Sequence, residues 1–447
     1  MRRQAEYPYG TTRGKRRDKP ARTLSPLSRP RAAHAQSKET MSQAATAVSA
    51  ARRADRLETM QPSAIRDVHN LAEQLQQASP DGSFIALHFG EPDAGTPEFV
   101  VEAGVEALRG GAVFYETNAG RVDLKAELAA YYRRIYGVEV APERFVITCG
   151  GVQAIHLAYL GLLAPGDAMA LVTPVWPNLS EAATIAGATV HHVPLAFDAG
   201  ESRFHLDLNA LQRVVADDPC VRLVAVNTPA NPTGWVMSED EKARLVTFCR
   251  EHGLYLLGDE MYDRIDFRRA HPHSFLHLTE PEDRLVVING FSKTYCMTGW
   301  RLGYLIAPAA LAAKLAEMQE FVTSHAPSMA QVAGITALQR GEEFVAQSLE
   351  RYRRLRDLTV ERLAELPGAT VARPDGTFYA FFRVRGSEDS VAFCKALLRE
   401  TGVSLAPGKA FGAGGEGWLR LCFAKAPEQL DEALQRLQRF IAGTSAP

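Results

Sequence analysis

The segment NGFSKTYCMTGWRLGY (289–304) sets Lys293 in a turn with Gly290, Ser292 and Thr294, directly past an apolar run. A primary amine there can attack a carbonyl carbon and carry a proton, which an always-protonated guanidinium cannot do. An isolated Ser-Lys pair is more often a solvated loop lysine. Here Thr298, Gly299, Trp300 and Arg301 follow in close order, and a guanidinium fork matches phosphate oxygens. LLGDEMYDR (256–264) puts Asp259 at the carboxyl end of an apolar strand, where open α/β sheets place ligands. A carboxylate buried there needs a partner, although a purely structural carboxylate or a metal ligand would also fit that position. VNTPANPTGWV (226–236) follows a strand with a dense turn that contains Asn231. In ITCGGVQAIHLAYLGLL (147–163) a strand ends at Gly150-Gly151 and a helix begins near Val152, so free N–H groups and a favourable dipole face any anion placed there. The glycine pattern is neither that of a Walker A loop nor a dinucleotide fingerprint. TPVWPN (173–178) adds Trp176, a flat apolar surface that could equally be core.

The string S-K-x-x-x-M-T-G-W-R-x-G-Y resembles the lysine signature of class I/II aminotransferases, which are pyridoxal 5'-phosphate (PLP) enzymes of fold type I in the aspartate aminotransferase superfamily. The resemblance covers about residues 60–442 and implies a role for each position that matches. Lys293 would hold PLP as a Schiff base and shuttle the substrate proton. Asp259 would face the pyridinium nitrogen, and Tyr262 and Asn231 the phenolic oxygen. Gly151, Val152, Ser292 and Arg301 would hold the phosphate, and Trp176 would stack on the ring. FYETNAGRVDLKAELAAYY (114–132) is similar to the segment whose tyrosine, Tyr115 here, reaches the phosphate of the neighbouring subunit, which implies a homodimer with composite sites. HFGEPDAGTP (88–97) is similar to the stretch whose glycine, Gly90 here, lies against the substrate. Arg420 in LRLCFA (419–424) would bind the α-carboxylate, with Trp176 and Asn231 beside the substrate. One position departs from the pattern. Many relatives carry a hydroxyl residue three before the lysine, where this chain has Gly290, so one phosphate contact is open. The activity implied is ping-pong transfer of an amino group from an L-amino acid to a 2-oxo acid such as 2-oxoglutarate. A C–S β-lyase on the same scaffold would share every one of these residues. A transcription regulator would need a helix-turn-helix module ahead of the PLP domain, and the paired apolar helices of such a module are missing from residues 1–60.

These residues must be positioned by a scaffold, and the apolar pattern predicts one. Short apolar, β-branched runs occur at 84–90, 144–150, 169–174, 189–195, 222–229, 254–260, 284–290 and 302–308, several of them apolar on both faces, alternating with helical patterns such as 153–163 and 239–252. That alternation predicts an α/β fold with a mostly parallel central sheet flanked by helices, over residues 90–325. A long helical segment (328–366), strands at 376–384 and 418–424, and a last amphipathic helix at 427–441 predict a smaller α+β domain from 326–442 plus 60–89, with a tail at 443–447. Residues 1–59 are a basic extension, with 14 Lys and Arg against 5 Asp and Glu through residue 60, while the whole chain of 447 residues has net charge −2. Too little apolar surface to offset ordering entropy predicts disorder over 1–40. An over-long translated start is favoured there over a transit peptide or a nucleic-acid-binding tail, with Met41 or Met60 near the real beginning. The net charge gives no reason to expect nucleic acid or an anionic membrane as partner. The six cysteines show no metal or disulfide spacing, so reduced thiols and a cytoplasmic location are expected, with no metal.

Overall fold

The computed structural model describes residues 60, 62–79, 82–269 and 271–444. The expectations for residues 1–59 and 445–447 lie outside these. Seven strands form the main sheet: β1 (Phe145–Thr148), β2 (Ala168–Thr173), β3 (Thr189–Pro194), β4 (Val221–Asn227), β5 (Tyr255–Asp259), β6 (Leu285–Gly290) and β7 (Gly303–Ile306). Their spatial order is β1-β7-β6-β5-β4-β2-β3. β7 runs antiparallel to both its neighbours, and the other pairs in the sheet are parallel. The fold is α/β, with a mostly parallel central sheet flanked by helices.

Alternation along each strand explains why both faces are apolar. In β4, Val224 and Val226 enter one core while Leu223 and Ala225 enter the other; in β6, Val287 and Ile288 divide in the same way. Helices cover both faces, which is the arrangement that stabilises parallel strands. The carboxyl ends of β1, β4, β5 and β6 open on one edge. Antiparallel β7 begins at that same edge, with Gly303 opposite both Thr148 and Gly290.

A second sheet has four antiparallel strands, β8 (Thr370–Ala372), β9 (Tyr379–Arg383), β10 (Ala406–Pro407) and β11 (Leu419–Cys422), in the order β8-β9-β11-β10. Its core joins Tyr352, Leu397, Leu421 and Leu434 to Val68, Ile85 and Leu87 from the front of the described chain. A parallel ladder, Ile85–Ala86 against Val403–Ser404, fastens that front segment.

Two elements differ from the sequence pattern. The run 84–90 forms only a two-residue strand, because past Leu87 its carbonyls serve the site rather than a ladder, as described below. The helical segment 328–366 is two helices, Ser328–Arg340 and Glu342–Ala364, divided at Gly341. Gly341 N–H closes the first on Ala337 O at 2.9 Å, and its carbonyl starts the second from Val345 N–H at 3.0 Å. The first helix packs Ala330, Ala333 and Ala337 into the core of the seven-stranded sheet. The helix that begins just after 325 therefore belongs with the main-sheet core, and the second helix carries the chain to the smaller core through Tyr352, Leu355 and Leu363.

Candidate active site

A cleft of about 1210 Å³ opens at the carboxyl edge of the main sheet and reaches the second sheet. Of the residues singled out by the sequence, Gly90, Gly151, Val152, Trp176, Asn231, Asp259, Tyr262, Ser292, Lys293, Arg301 and Arg420 line it. Tyr115 does not. Its side chain is 90% exposed and touches His325 edge-on.

Lys293 follows β6 on the short turn Phe291–Thr294. Its Nζ donates to Gly90 O at 2.7 Å. Burial lowers the ammonium to about 8, against the weaker pull of Cys422 and Glu91, with Arg420 and Arg301 adding to the lowering. Far more of it is then free amine near neutral pH than for an ordinary lysine, as a nucleophile or base requires. Asp259, the last residue of β5, is only 4% exposed, and among the described residues its carboxylate accepts one hydrogen bond, from Met261 N–H at 3.1 Å. Burial raises this carboxyl to about 7, and Glu260 and Asp263 push in the same direction. A cation placed against it would relieve that cost.

At the other end of the cleft, β1 turns through Gly150 at φ 81° into the helix Gly151–Leu162, whose N-cap makes no side-chain bond. A Cβ on Gly150 would collide with the Arg301 guanidinium, and one on Gly303 would lie 2.7 Å from Gly150 C. Only glycines allow β1, β7 and Arg301 to approach this closely. Arg301 itself sits at φ 53°, a left-handed conformation that turns it back toward the helix start. It donates to Thr298 O at 2.8 Å and Cys149 O at 3.3 Å. Open helix N–H groups beside a guanidinium make an anion site. Gly290 is equally confined, since a Cβ there would meet Gly303 Cα at 3.0 Å and Leu302 O at 3.1 Å. The missing hydroxyl thus has a steric reason, and Ser292 is the buried hydroxyl of that turn that lines the cleft.

Asn231 is held by a buried amide relay. Asn227 Oδ1 accepts from Asn231 N–H at 2.7 Å, and Asn227 Nδ2 donates to Asp259 O at 3.0 Å. Arg420, 3% exposed on β11, donates from Nη1 to Asn231 Oδ1 at 3.0 Å and from Nη2 to His88 O, while its Nε has no partner among the described residues. Its guanidinium lies 4.6 Å from the Tyr379 ring centroid and 5.0 Å from that of Phe411. Tyr262 and Tyr379 share a hydroxyl–hydroxyl bond of 2.7 Å. A Cβ on Gly90 would strike the Tyr379 hydroxyl. Tyr379, His88 and Asn227 are site residues that the sequence reading missed. Tyr379 lies in an aromatic strand that reads as core, and the part played by His88 is that of its backbone carbonyl, for which no residue type gives a signal.

The family model for class I and II aminotransferases matches residues 82–437. The chain belongs to the class I and II aminotransferases. An aspartate aminotransferase of Thermotoga maritima is 36% identical over 357 residues, covering 80% of this chain and 91% of the relative. Aromatic-amino-acid aminotransferase 2 of Thermococcus litoralis is 32% identical, covering 87% and 97%. The structure of a single mutant of Thermus thermophilus aspartate aminotransferase superposes with a TM-score of 0.80 at 33% identity, covering 87% of this chain and 99% of that one. This aminotransferase is a PLP-dependent enzyme of fold type I. The residues present fit the cofactor. A buried carboxyl short of a cation, a helix start and guanidinium open to an anion, and an amine of lowered basicity meet in one cleft. Among the described residues, no group of His, Cys, Asp and Glu could hold a metal ion, and no helix is long and apolar enough to cross a membrane.

Proposed function

We propose that the enzyme moves the amino group of an L-amino acid to a 2-oxo acid of the 2-oxoglutarate kind in two half-reactions, with PLP attached through Lys293. The observation that carries this reading is Lys293 Nζ, of lowered basicity, sharing one cleft with Asp259, Asn231, Arg301 and Arg420. When bound, PLP supplies the electrophilic carbon and the ring that accepts negative charge developing at substrate Cα. The protein does the rest. Asp259 keeps the ring nitrogen protonated, and Tyr262 and Asn231 bind the phenolic oxygen. Gly151 and Val152 N–H, Ser292 and Arg301 fix the phosphate. Arg420, already seated on Asn231 and His88, takes the α-carboxylate. Trp176 and Gly90 bound the substrate, and Nζ removes and returns the Cα proton.

The working form in this reading is a homodimer, with Tyr115 serving the partner's phosphate. Its exposure supports this, as do the exposed Val113, Phe114, Phe321 and Val322. Borohydride treatment of the holoenzyme followed by peptide mapping should yield a cofactor-tagged peptide at Lys293, and Lys293→Ala should lose the tag and nearly all turnover. A tag on another lysine, or ordinary turnover by the variant, rejects the assignment. Untreated holoenzyme, given amino acids alone, should show a change of cofactor absorbance that 2-oxoglutarate reverses. Release of pyruvate without any oxo-acid acceptor would point to lyase chemistry instead.

A further inference from the structure

The parallel ladder between β5 and β6 ends where the chemistry begins. Asp259 pairs with Ile288, and Glu260 N–H to Ile288 O at 2.9 Å is the last backbone bond from β5 to β6 before the chains diverge. Beyond it, a side-chain tie continues the connection. Asn289, four residues before Lys293, donates from Nδ2 to Asp263 Oδ2 at 2.8 Å and accepts from Gly290 N–H on Oδ1 at 2.7 Å. Asp263, four residues after Asp259, receives the Tyr136 hydroxyl on the same oxygen at 2.5 Å. Asp263, Asn289 and Tyr136 are 5%, 2% and 6% exposed. None of the three lines the cleft, so none touches substrate or cofactor. The other Asp263 oxygen, Oδ1, has no partner among the described residues, and a void of about 10 Å³ lies beside Asp263, Asn289, Gly290 and Thr294. That is room for one water at most. It also lets the Asn289 amide swing if its acceptor is removed. The tie resembles the one Asn227 makes between the ends of β4 and β5, and here it runs behind the turn that presents the reactive amine.

We propose that Asp263 is a positioning residue for amino transfer, fixing through Asn289 the Gly290–Lys293 turn against the strand end that carries Asp259. The proposal rests on the roles given above to Lys293 and Asp259. A displacement of about an ångström at a reacting group lowers turnover on the order of a hundredfold. Asp263→Ala holoenzyme should therefore lose about ten- to a hundredfold in kcat, with KM for the amino donor changed by no more than about threefold. Asp263→Asn keeps an oxygen able to accept both bonds and should recover most of the loss. Asn289→Ala should match Asp263→Ala, and the double variant should be no worse than either single one. Visible circular dichroism of the bound cofactor should fall in both alanine variants and return in Asp263→Asn.

A folded Asp263→Ala or Asn289→Ala enzyme with wild-type kcat and dichroism overturns the proposal, as does an Asp263→Asn enzyme no better than the alanine variant. Failure of both alanine variants to fold would make the role purely structural and overturn it too. Borohydride tagging of wild-type Lys293 separates the outcomes. Tagging with unaffected variants sinks the positioning role alone, whereas absent tagging sinks the reading beneath it.

Discussion

Arg420 is buried, and its partners among the described residues are neutral: an amide oxygen, a carbonyl and two ring faces. A guanidinium so placed, with Nε unpaired among the described residues, would be completed by the carboxylate of the proposed substrate. Arg420→Lys keeps the charge but loses the fork. It should lower kcat/KM about a hundredfold for every amino donor alike, since losing one charge-assisted hydrogen bond of the bidentate pair costs about 1.5–3 kcal/mol. Half-reaction rates with aspartate, alanine and phenylalanine check this, and a loss confined to aspartate would move Arg420 to the distal carboxylate. Asp259 gives a pH prediction. Burial raises its carboxyl from 3.8 to about 7, so the folded chain holds this proton more tightly than the unfolded chain. Its contribution to stability is full below pH 4 or so and is lost as pH rises through about 7. Thermal melts of the cofactor-free protein should fall more between pH 5 and 8 in wild type than in Asp259→Asn, and PLP should shrink the wild-type fall. Equal slopes in the two proteins would mean that the carboxyl is solvated or already paired. Lys293, Asp259 and Arg301 were legible because their residue types carry the chemistry. Tyr379 was not, because the hydroxyl that meets Tyr262 sits on a side chain that otherwise reads as packing.

The elements were legible where one physical signal dominated. Every strand of the main sheet fell on a predicted run, and the central ones were apolar on both faces because strands under two layers of helix bury both; the edge strand Thr189–Pro194 is exposed or half-buried along most of its length. The signal failed where backbone groups leave a ladder for the site. Leu87 still donates to Ser404 O at 3.0 Å, but His88 O accepts from Arg420 and Gly90 O from Lys293, so the predicted strand 84–90 stops early. Apolar spacing also ran across Gly341, since helices on either side of a one-residue break share nearly the same periodicity. Helix starts are better marked. Ser238 and Glu241 form a reciprocal capping box on Glu239–Glu251, with Glu241 N–H to Ser238 Oγ at 3.2 Å and Ser238 N–H to Glu241 Oε2 at 2.8 Å. Ser238→Ala should lower unfolding stability by about 1 kcal/mol and leave kcat unchanged, because the cap lies away from the cleft. Denaturant titration beside an activity assay tests both halves. A loss of activity at full stability would show that this helix is coupled to the site.

On the scale of the whole molecule, the least satisfied feature is an apolar surface. Phe114 is 78% exposed, Tyr115 90% and Phe321 86%, which is unusual for large apolar side chains close together. The two segments that carry them are joined, since Ser328 Oγ donates to Phe114 O at 2.9 Å and Tyr115 meets His325. In the proposed homodimer a second copy of the chain covers this surface, and each Tyr115 serves the other subunit's cleft. Phe321→Asp should then give a monomer by sedimentation, with little activity even though its own Lys293 is intact. The sharper test is complementation. Lys293→Ala and Tyr115→Ala should each be poor enzymes alone. Refolded together in equal amounts, half the dimers are hybrids, and one of the two sites in each hybrid combines an intact Lys293 with the other subunit's intact Tyr115. Activity should rise to about a quarter of wild type on mixing. If hybrids form and activity stays at the level of the separate variants, Tyr115 does not act across the interface, and the exposed band covers some surface unrelated to the phosphate.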